Sequence, residues 1–342
     1  MFLRHQKESM TIMTKKFFIA VLAIMTVACS GGNTSKEKAE QKFQALPFPD
    51  VQVPAMVSGP SEALEFLAGN YWNKITDPSR SYPCDSLYVS GVDKQAVEQK
   101  FADWTAVLNN IPLDVAQKAV GNFYERIYAC ETANPSSNVF ETFVEYSQRY
   151  LYDPNSPLRD EDLYLPFVTR YAKYEGLSEV EKGKYEREAR LCGLNRRGTK
   201  ATDFRFSDRS GRMRNMYDIK AELTLLFFSN PGCSACMDII NVLREDAVIS
   251  TLINSGKMAV LNIYIDEDIQ AWRSYMPIYP ENWYNGFDPD FVLRSNEIYC
   301  IRAIPSLYLL DKEKNVLMKD VPENVLFNYL YSAYGTDMGS SL

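Results

Sequence analysis

In the stretch SNPGCSACMDII, residues 229–240, Cys233 and Cys236 stand two residues apart, after an apolar run (Leu225, Leu226, Phe227, Phe228) and before an apolar periodic segment. Thiols at that spacing suit a redox dithiol, half of a zinc site or a structural staple. The chain has a single histidine, His5, upstream of a segment expected to be removed, which excludes Ser-His-Asp and Cys-His catalysis and every imidazole-bearing zinc site. A four-cysteine site needs a second close pair, and Cys29, Cys84, Cys130, Cys192 and Cys300 lie far apart in the chain, so no metal is expected. A formal charge of −7 argues against a phosphate-backbone partner, so nucleic acid is excluded as well.

The pair must be held by elements that the pattern also predicts. LTLLFF before it reads as a buried strand and MDIINVLREDAVISTLIN behind it as a helix. KMAVLNIYID is a second buried strand, IPSLYLLD, KEKN and VLMKDV form a strand, turn and strand, and PENVLFNYLYSAYG closes with a helix. Strands alternating with helices, followed by a hairpin, predict an α/β domain with a mixed central sheet.

Upstream, from about Ser61 to Arg190, apolar and aromatic residues recur three and four apart with little strand signal, which predicts a bundle of about six helices. Asp93 and Asp114 are placed to cap two of them. The aromatic stripes of this half read as core. Trp272 and Trp283, in an insertion ahead of IPSLYLLD, also read as core, with a groove wall as the sharper alternative. Cys300, five residues before Pro305, reads as a small buried strand residue, with a third thiol near the pair as the sharper alternative, and Cys84 and Cys130 are a candidate disulfide.

At the N-terminus, MTKKFFIAVLAIMTVACSGG has two lysines, a short apolar run and small residues before Cys29, the form of a signal peptide, with Met13 a candidate start. TVAC resembles a bacterial lipoprotein processing site in which Cys29 is lipidated, although Thr26 stands where that pattern usually has Leu. The expected organisation is a lipoprotein signal peptide over 1–29, a flexible tether over 30–48, a helical domain over 49–194 and the α/β domain over 195–342. The expected location is a lipid-anchored, periplasm-facing position in the cell envelope, in the outer membrane ahead of the inner. Disulfides form there.

From about Gly198 onward the chain resembles thioredoxin-like envelope oxidoreductases. The resemblance rests on the order strand, C-S-A-C, helix, on YCIRAIPSLYLL, which is similar to the segment around the thioredoxin cis-proline, and on the entry hairpin GTKATDFRFSDRSGRMRNMYDI. The helical half, with YLYDPNSPLRDEDLYLP and LNRRGTKATDF, resembles a domain family of unknown function that precedes thioredoxin-like domains in bacterial envelope lipoproteins. The implied fold class is α+α/β, a helical bundle followed by a thioredoxin-like domain.

The resemblance implies that Cys233, at a helix N-terminus where backbone N–H groups favour a thiolate, is the nucleophile, and that Cys236 resolves the mixed disulfide. It implies a cis Ile304–Pro305 bond whose loop docks a substrate strand. Phe227 and Asn262 stand where the family has a buried Asp and a Lys, leaving proton removal from Cys236 to water or to Asp266 or Glu267. Gly232 replaces the usual Trp, which implies a more open site, and Ser306 replaces a Thr. No cofactor is expected. The implied partners are disulfide-bearing envelope proteins and an upstream membrane electron donor or thioredoxin-type reductant. The rival reading is a non-catalytic binding module with a fixed Cys233–Cys236 disulfide. A peroxiredoxin is disfavoured because no P-x-x-x-T-x-x-C segment occurs.

Overall fold

The computed structural model describes residues 43–82 and 86–335, so Cys29 and Cys84, and with them the lipidation site and the Cys84–Cys130 pairing, lie outside the described residues. The helical half contains α1 (Pro60–Asn70), α2 (Lys94–Leu108), α3 (Leu113–Ala133), α4 (Val139–Tyr146), α5 (Glu161–Tyr171) and α6 (Glu179–Cys192). A π-helical turn, Ser147–Tyr152, extends α4. A two-stranded hairpin absent from the sequence reading, β1 (Tyr88–Val89) and β2 (Val92–Asp93), turns at Ser90 and Gly91, both at positive φ. The expected cap at Asp93 is present, its carboxylate accepting from the N–H groups of Gln95 and Ala96 at 2.9 and 3.2 Å. Asp114 instead lies inside the first turn of α3, after Pro112 at the cap, where its charge faces the positive end of the helix.

The aromatic stripes pack as a core. Trp72 meets Phe143 edge-on at 4.8 Å, Phe123 meets Phe143 at 5.1 Å and Trp104 at 4.9 Å, and the Trp104 indole donates to Ala68 O at 2.9 Å. Rings crossed at these separations add to the burial energy, and the Trp104 indole N–H is satisfied, whereas that of Trp72 has no partner among the described residues.

The other half contains β3 (Arg205–Asp208), β4 (Met213–Asn215), β5 (Leu223–Phe228), α7 (Ser234–Glu245), α8 (Ala247–Asn254), β6 (Met258–Tyr264), α9 (Ile269–Tyr275), β7 (Tyr284–Phe287), α10 (Val292–Ser295), β8 (Ser306–Leu310), β9 (Val316–Lys319) and α11 (Glu323–Tyr334). The strand order is β4-β3-β7-β6-β5-β8-β9. β5, β6 and β7 run parallel, while β8 and β9 on one side and β3 and β4 on the other pair antiparallel. The sheet is therefore mixed, with β5 between β6 and β8 and buried along its whole length.

Two readings are corrected. The single helix expected behind the cysteines is two, because Asp246 leaves helical geometry and caps α8 through Val248 N and Ile249 N. β7 is absent from the sequence pattern, since Asn285 and Gly286 at its centre have low strand propensity. It is held there by close packing: a Cβ at Gly286 would come within 2.5 Å of the Phe206 ring and 2.8 Å of Ser207 O.

The hairpin β3–β4 closes on Asp208, whose carboxylate accepts from Ser210 N, Ser210 Oγ, Arg212 N and Arg214 Nε at 2.6 to 3.0 Å. Burial alone would raise this carboxyl, but the bonds from Arg214, Ser210 and Arg212 outweigh it and hold the group well below the usual carboxylate range. A carboxyl depressed in the folded state adds stability above its unfolded pKa and loses it as pH falls toward the folded one. Asp208→Asn is therefore expected to be less stable than the parent at pH 7, with the difference shrinking below about pH 4. Urea midpoints measured across that range check it.

Candidate thiol-disulfide site

β5 delivers the chain to the site and α7 carries it away. Cys233 and Cys236 form a disulfide with Cα atoms 5.2 Å apart. Cys233 occupies the cap position of α7, and its Sγ accepts from the Cys236 N–H at 3.1 Å. Cys233 is partly exposed, whereas Cys236 is 1% exposed and packs in the apolar cluster with Phe227, Tyr279, Trp283 and Leu307. Cys233 thus sits half-buried at a helix N-terminus, packed against the edge of that cluster, and Cys236 lies inside it.

Gly232, which opens this turn, has φ of +76°, a left-handed conformation that disfavours any side chain. The openness expected from the missing Trp is partly taken up by Tyr275 of α9, whose hydroxyl lies 3.6 Å from where a Cβ on residue 232 would be.

Beneath Cys236, Phe227 is fully buried and paired in register with Asn262 across β5 and β6. Around Asn262 the structure builds an uncharged polar network: Ser229 Oγ donates to Asn262 Oδ1 at 2.5 Å, Asn262 Nδ2 to Asn285 Oδ1 at 3.2 Å, and Asn285 Nδ2 to Pro280 O at 3.1 Å. Burial pushes the Tyr279 hydroxyl above its ordinary range, against the pull of Ser229 and Asn262. Asp266 and Glu267, the candidate proton acceptors, follow the C-terminal end of β6. Asp266 accepts from Asn230 Nδ2 at 2.5 Å and pairs with Arg294, and Glu267 is exposed. Trp272 and Trp283 are buried as core, Trp272 edge-on to Phe287 at 4.8 Å.

Ile304–Pro305 is cis. Ser306, which follows it, pairs with Phe228 at the end of β5, so the proline lies level with the loop that departs toward Cys233. This loop is tied to the helical half by buried charges that the sequence reading did not find. Ser306 Oγ donates to Asp320 Oδ1 at 2.7 Å, Arg302 Nη2 to Asp320 Oδ2 at 2.7 Å, and Arg302 Nε lies 2.9 Å from Glu161 Oε1 of α5. Lys319 Nζ reaches Glu161 Oε2 at 2.9 Å and donates to Cys192 O and Leu194 O at 2.6 Å. The Arg302 guanidinium also stacks 4.6 Å over the Tyr152 ring. Burial pushes the Glu161 carboxyl up, against the pull of Lys319 and Arg302.

Between the halves runs a cleft of about 650 Å³. Tyr152, Pro154, Arg187 and Leu191 line it from the helical side, and Asn230, Asp266, Arg294, Glu297 and residues 299–304 from the other. It reaches both Asn230, three residues before Cys233, and Ile304 beside the proline.

The chain is 34% identical to a thioredoxin-like protein from Bacteroides caccae whose crystal structure matches with a TM-score of 0.71, covering 84% of this chain and 99% of that one. The chain belongs to the thioredoxin-like proteins. Ahead of its thioredoxin-like part, residues 28–194 match the family model described as Domain of unknown function (DUF5106). The C-terminal domain of an uncharacterized protein from Bacteroides fragilis is 42% identical over 40% of this chain and 97% of that one, with a TM-score of 0.39. The thioredoxin domain of a thiol-disulfide oxidoreductase from Bacteroides vulgatus is 20% identical over 41% of this thioredoxin-like chain and 98% of that one, with a TM-score of 0.36. None of the curated proteins matches it.

Proposed function

We propose that this thioredoxin-like protein is a thiol-disulfide oxidoreductase of the cell envelope that exchanges protein disulfides through Cys233 and Cys236. The observation that carries the reading is the asymmetry of the pair: a half-buried cysteine at a helix N-terminus, bonded to a fully buried one, beside a cis-proline loop. In the reduced form Cys233 attacks a substrate disulfide, helped by the Cys236 N–H and the positive helix end. Cys236 then attacks Cys233 Sγ and releases the second substrate thiol. Ile304 and Pro305 form the edge on which the substrate strand lies, and the cleft beside them receives the rest of the segment. Disulfide-bearing envelope proteins are the partners, with a membrane electron donor or thioredoxin-type reductant recharging the dithiol and a lipid on Cys29 holding the protein at the membrane.

Trapping tests it. Cys236→Ser keeps the attacking thiol and removes the resolving one, so the reduced variant mixed with insulin is expected to accumulate a covalent complex that dithiothreitol releases. Absence of the complex, with Cys233 shown to be alkylatable, rejects the reading.

A second reading has one observation in its favour. Phe227 and Asn262, beneath Cys236, carry no charge, and Asp266 is engaged by Asn230 and Arg294. A binding module with a fixed disulfide would need no proton acceptor there.

A further inference from the structure

The two walls of the cleft are fixed to each other. The Arg302 guanidinium stacks over the Tyr152 ring and is held by Glu161 of α5 and by Asp320. At the other end of the same loop, Arg187 and Arg190 of α6 both pair with Glu297, and Asn195 Nδ2 donates to Ile298 O at 2.8 Å. The segment 297–304 that leads to the cis-proline is thus anchored to the helical half at both ends, and the cleft is preformed, which lowers the cost of ordering it around a ligand.

Its chemistry is that of an uncharged ligand. Each charged residue of the lining has an opposite charge as partner: Arg294 has Asp266, Arg187 has Glu297, and Arg302 has Glu161 and Asp320. Between these pairs the wall is apolar, with Tyr152 and Leu191 from the helical half and Ile265, Leu293, Ile301 and Ile304 from the other. The volume of about 650 Å³ lies within the range of pockets that take a drug-sized molecule, which leaves room for more than one side chain. Ile304 belongs both to this wall and, with Cys233, to the rim of the apolar cluster behind the dithiol, so the cleft is continuous with the edge beside the reacting sulfur.

We propose that the helical half is part of the substrate site: Tyr152 and Leu191, sharing one cleft with Ile301 and Ile304, select polypeptide segments that carry aliphatic or aromatic residues beside the substrate cysteine. The proposal rests on disulfide exchange at Cys233 and Cys236 and adds the substrate class to it, apolar protein segments ahead of charged ones and of small disulfides. Burying one aliphatic side chain of such a segment is worth about tenfold in affinity or more.

The test reads binding without thiol chemistry. A short fluorescein-labelled peptide with leucine and valine on both sides of a central serine, which stands in for the cysteine, is titrated with the full chain and followed by fluorescence anisotropy. Saturable binding is expected, weakened about tenfold or more when the leucines and valines are replaced by aspartates. Pro154→Trp and Arg187→Trp, which place bulk in the cleft from the helical side at a half-buried and an exposed position, are each expected to weaken binding of the apolar peptide by a similar factor, with unfolding midpoints measured alongside. The proposal is overturned if the apolar peptide does not bind saturably, if the aspartate peptide binds as well, or if folded Pro154→Trp and Arg187→Trp proteins both bind it as the parent does. Peptide binding by a chain that traps no insulin would reject exchange at Cys233 and leave the apolar cleft standing, and insulin trapping without peptide binding would do the reverse.

Discussion

Replacing Cys233 with serine is expected to reduce catalysed disulfide exchange by roughly three orders of magnitude or more, the scale on which removing a covalent nucleophile acts. A hydroxyl in that position accepts the Cys236 N–H but forms no bond to a substrate sulfur, so the fold survives while the chemistry stops. Insulin reduction by dithiothreitol, followed with catalytic amounts of protein, measures the effect. The unfolding midpoint should fall by far less than the rate, because Cys233 is partly exposed and the short loop it closes adds little chain entropy. Activity retained by Cys233→Ser would mean that the dithiol is not the reacting group.

Glu161→Ala is expected to cost about 3–5 kcal/mol of stability, the range for removing one partner of a buried charge network. The carboxylate is 1% exposed and lies 2.9 Å from both Arg302 and Lys319, which are themselves buried. Its loss strands two cations, though Asp320 still holds Arg302. Chemical denaturation measures the cost. Combining Glu161→Leu with Lys319→Met is expected to recover part of it, since an apolar pair of similar volume carries no uncompensated charge. The damage should also reach the site, because the same network holds Ser306 beside Pro305 through Asp320.

These two sites differ in how far the sequence discloses them. The dithiol was legible because its determinants are local: an all-apolar strand, two cysteines and an amphipathic helix in immediate succession, with Pro305 opening the strand that pairs with β5. Phe227 and Asn262 were legible as departures for the same reason. The network at Glu161 was not, since it joins residues from α5, the proline loop and β9 that no periodicity connects. EDLYLP reads as an ordinary helix start rich in acids, and only the tertiary contact shows that Glu161 points inward. Cys300 is buried as the sequence implies, but in a loop rather than in a strand. Tyr275 and Tyr279 belong to the insertion between β6 and β7, whose packing on the cysteine turn and on Asn262 depends on an unforeseen strand.

Phe227 and Asn262, uncharged beneath Cys236, suit a fixed disulfide as well as a cycling one, and the redox potential separates the two readings. A dithiol used in exchange must cycle within reach of a cellular thiol pool, while a structural disulfide is reduced only below about −300 mV. The decisive measurement is equilibration of the full chain with graded ratios of reduced to oxidised glutathione and of reduced to oxidised dithiothreitol, acid quenching, and quantification of the Cys233–Cys236 peptide by mass spectrometry. The account predicts one reversible two-electron transition, about 30 mV per decade, at a potential above about −300 mV. A disulfide that stays closed through that range would contradict it and leave the pair a staple.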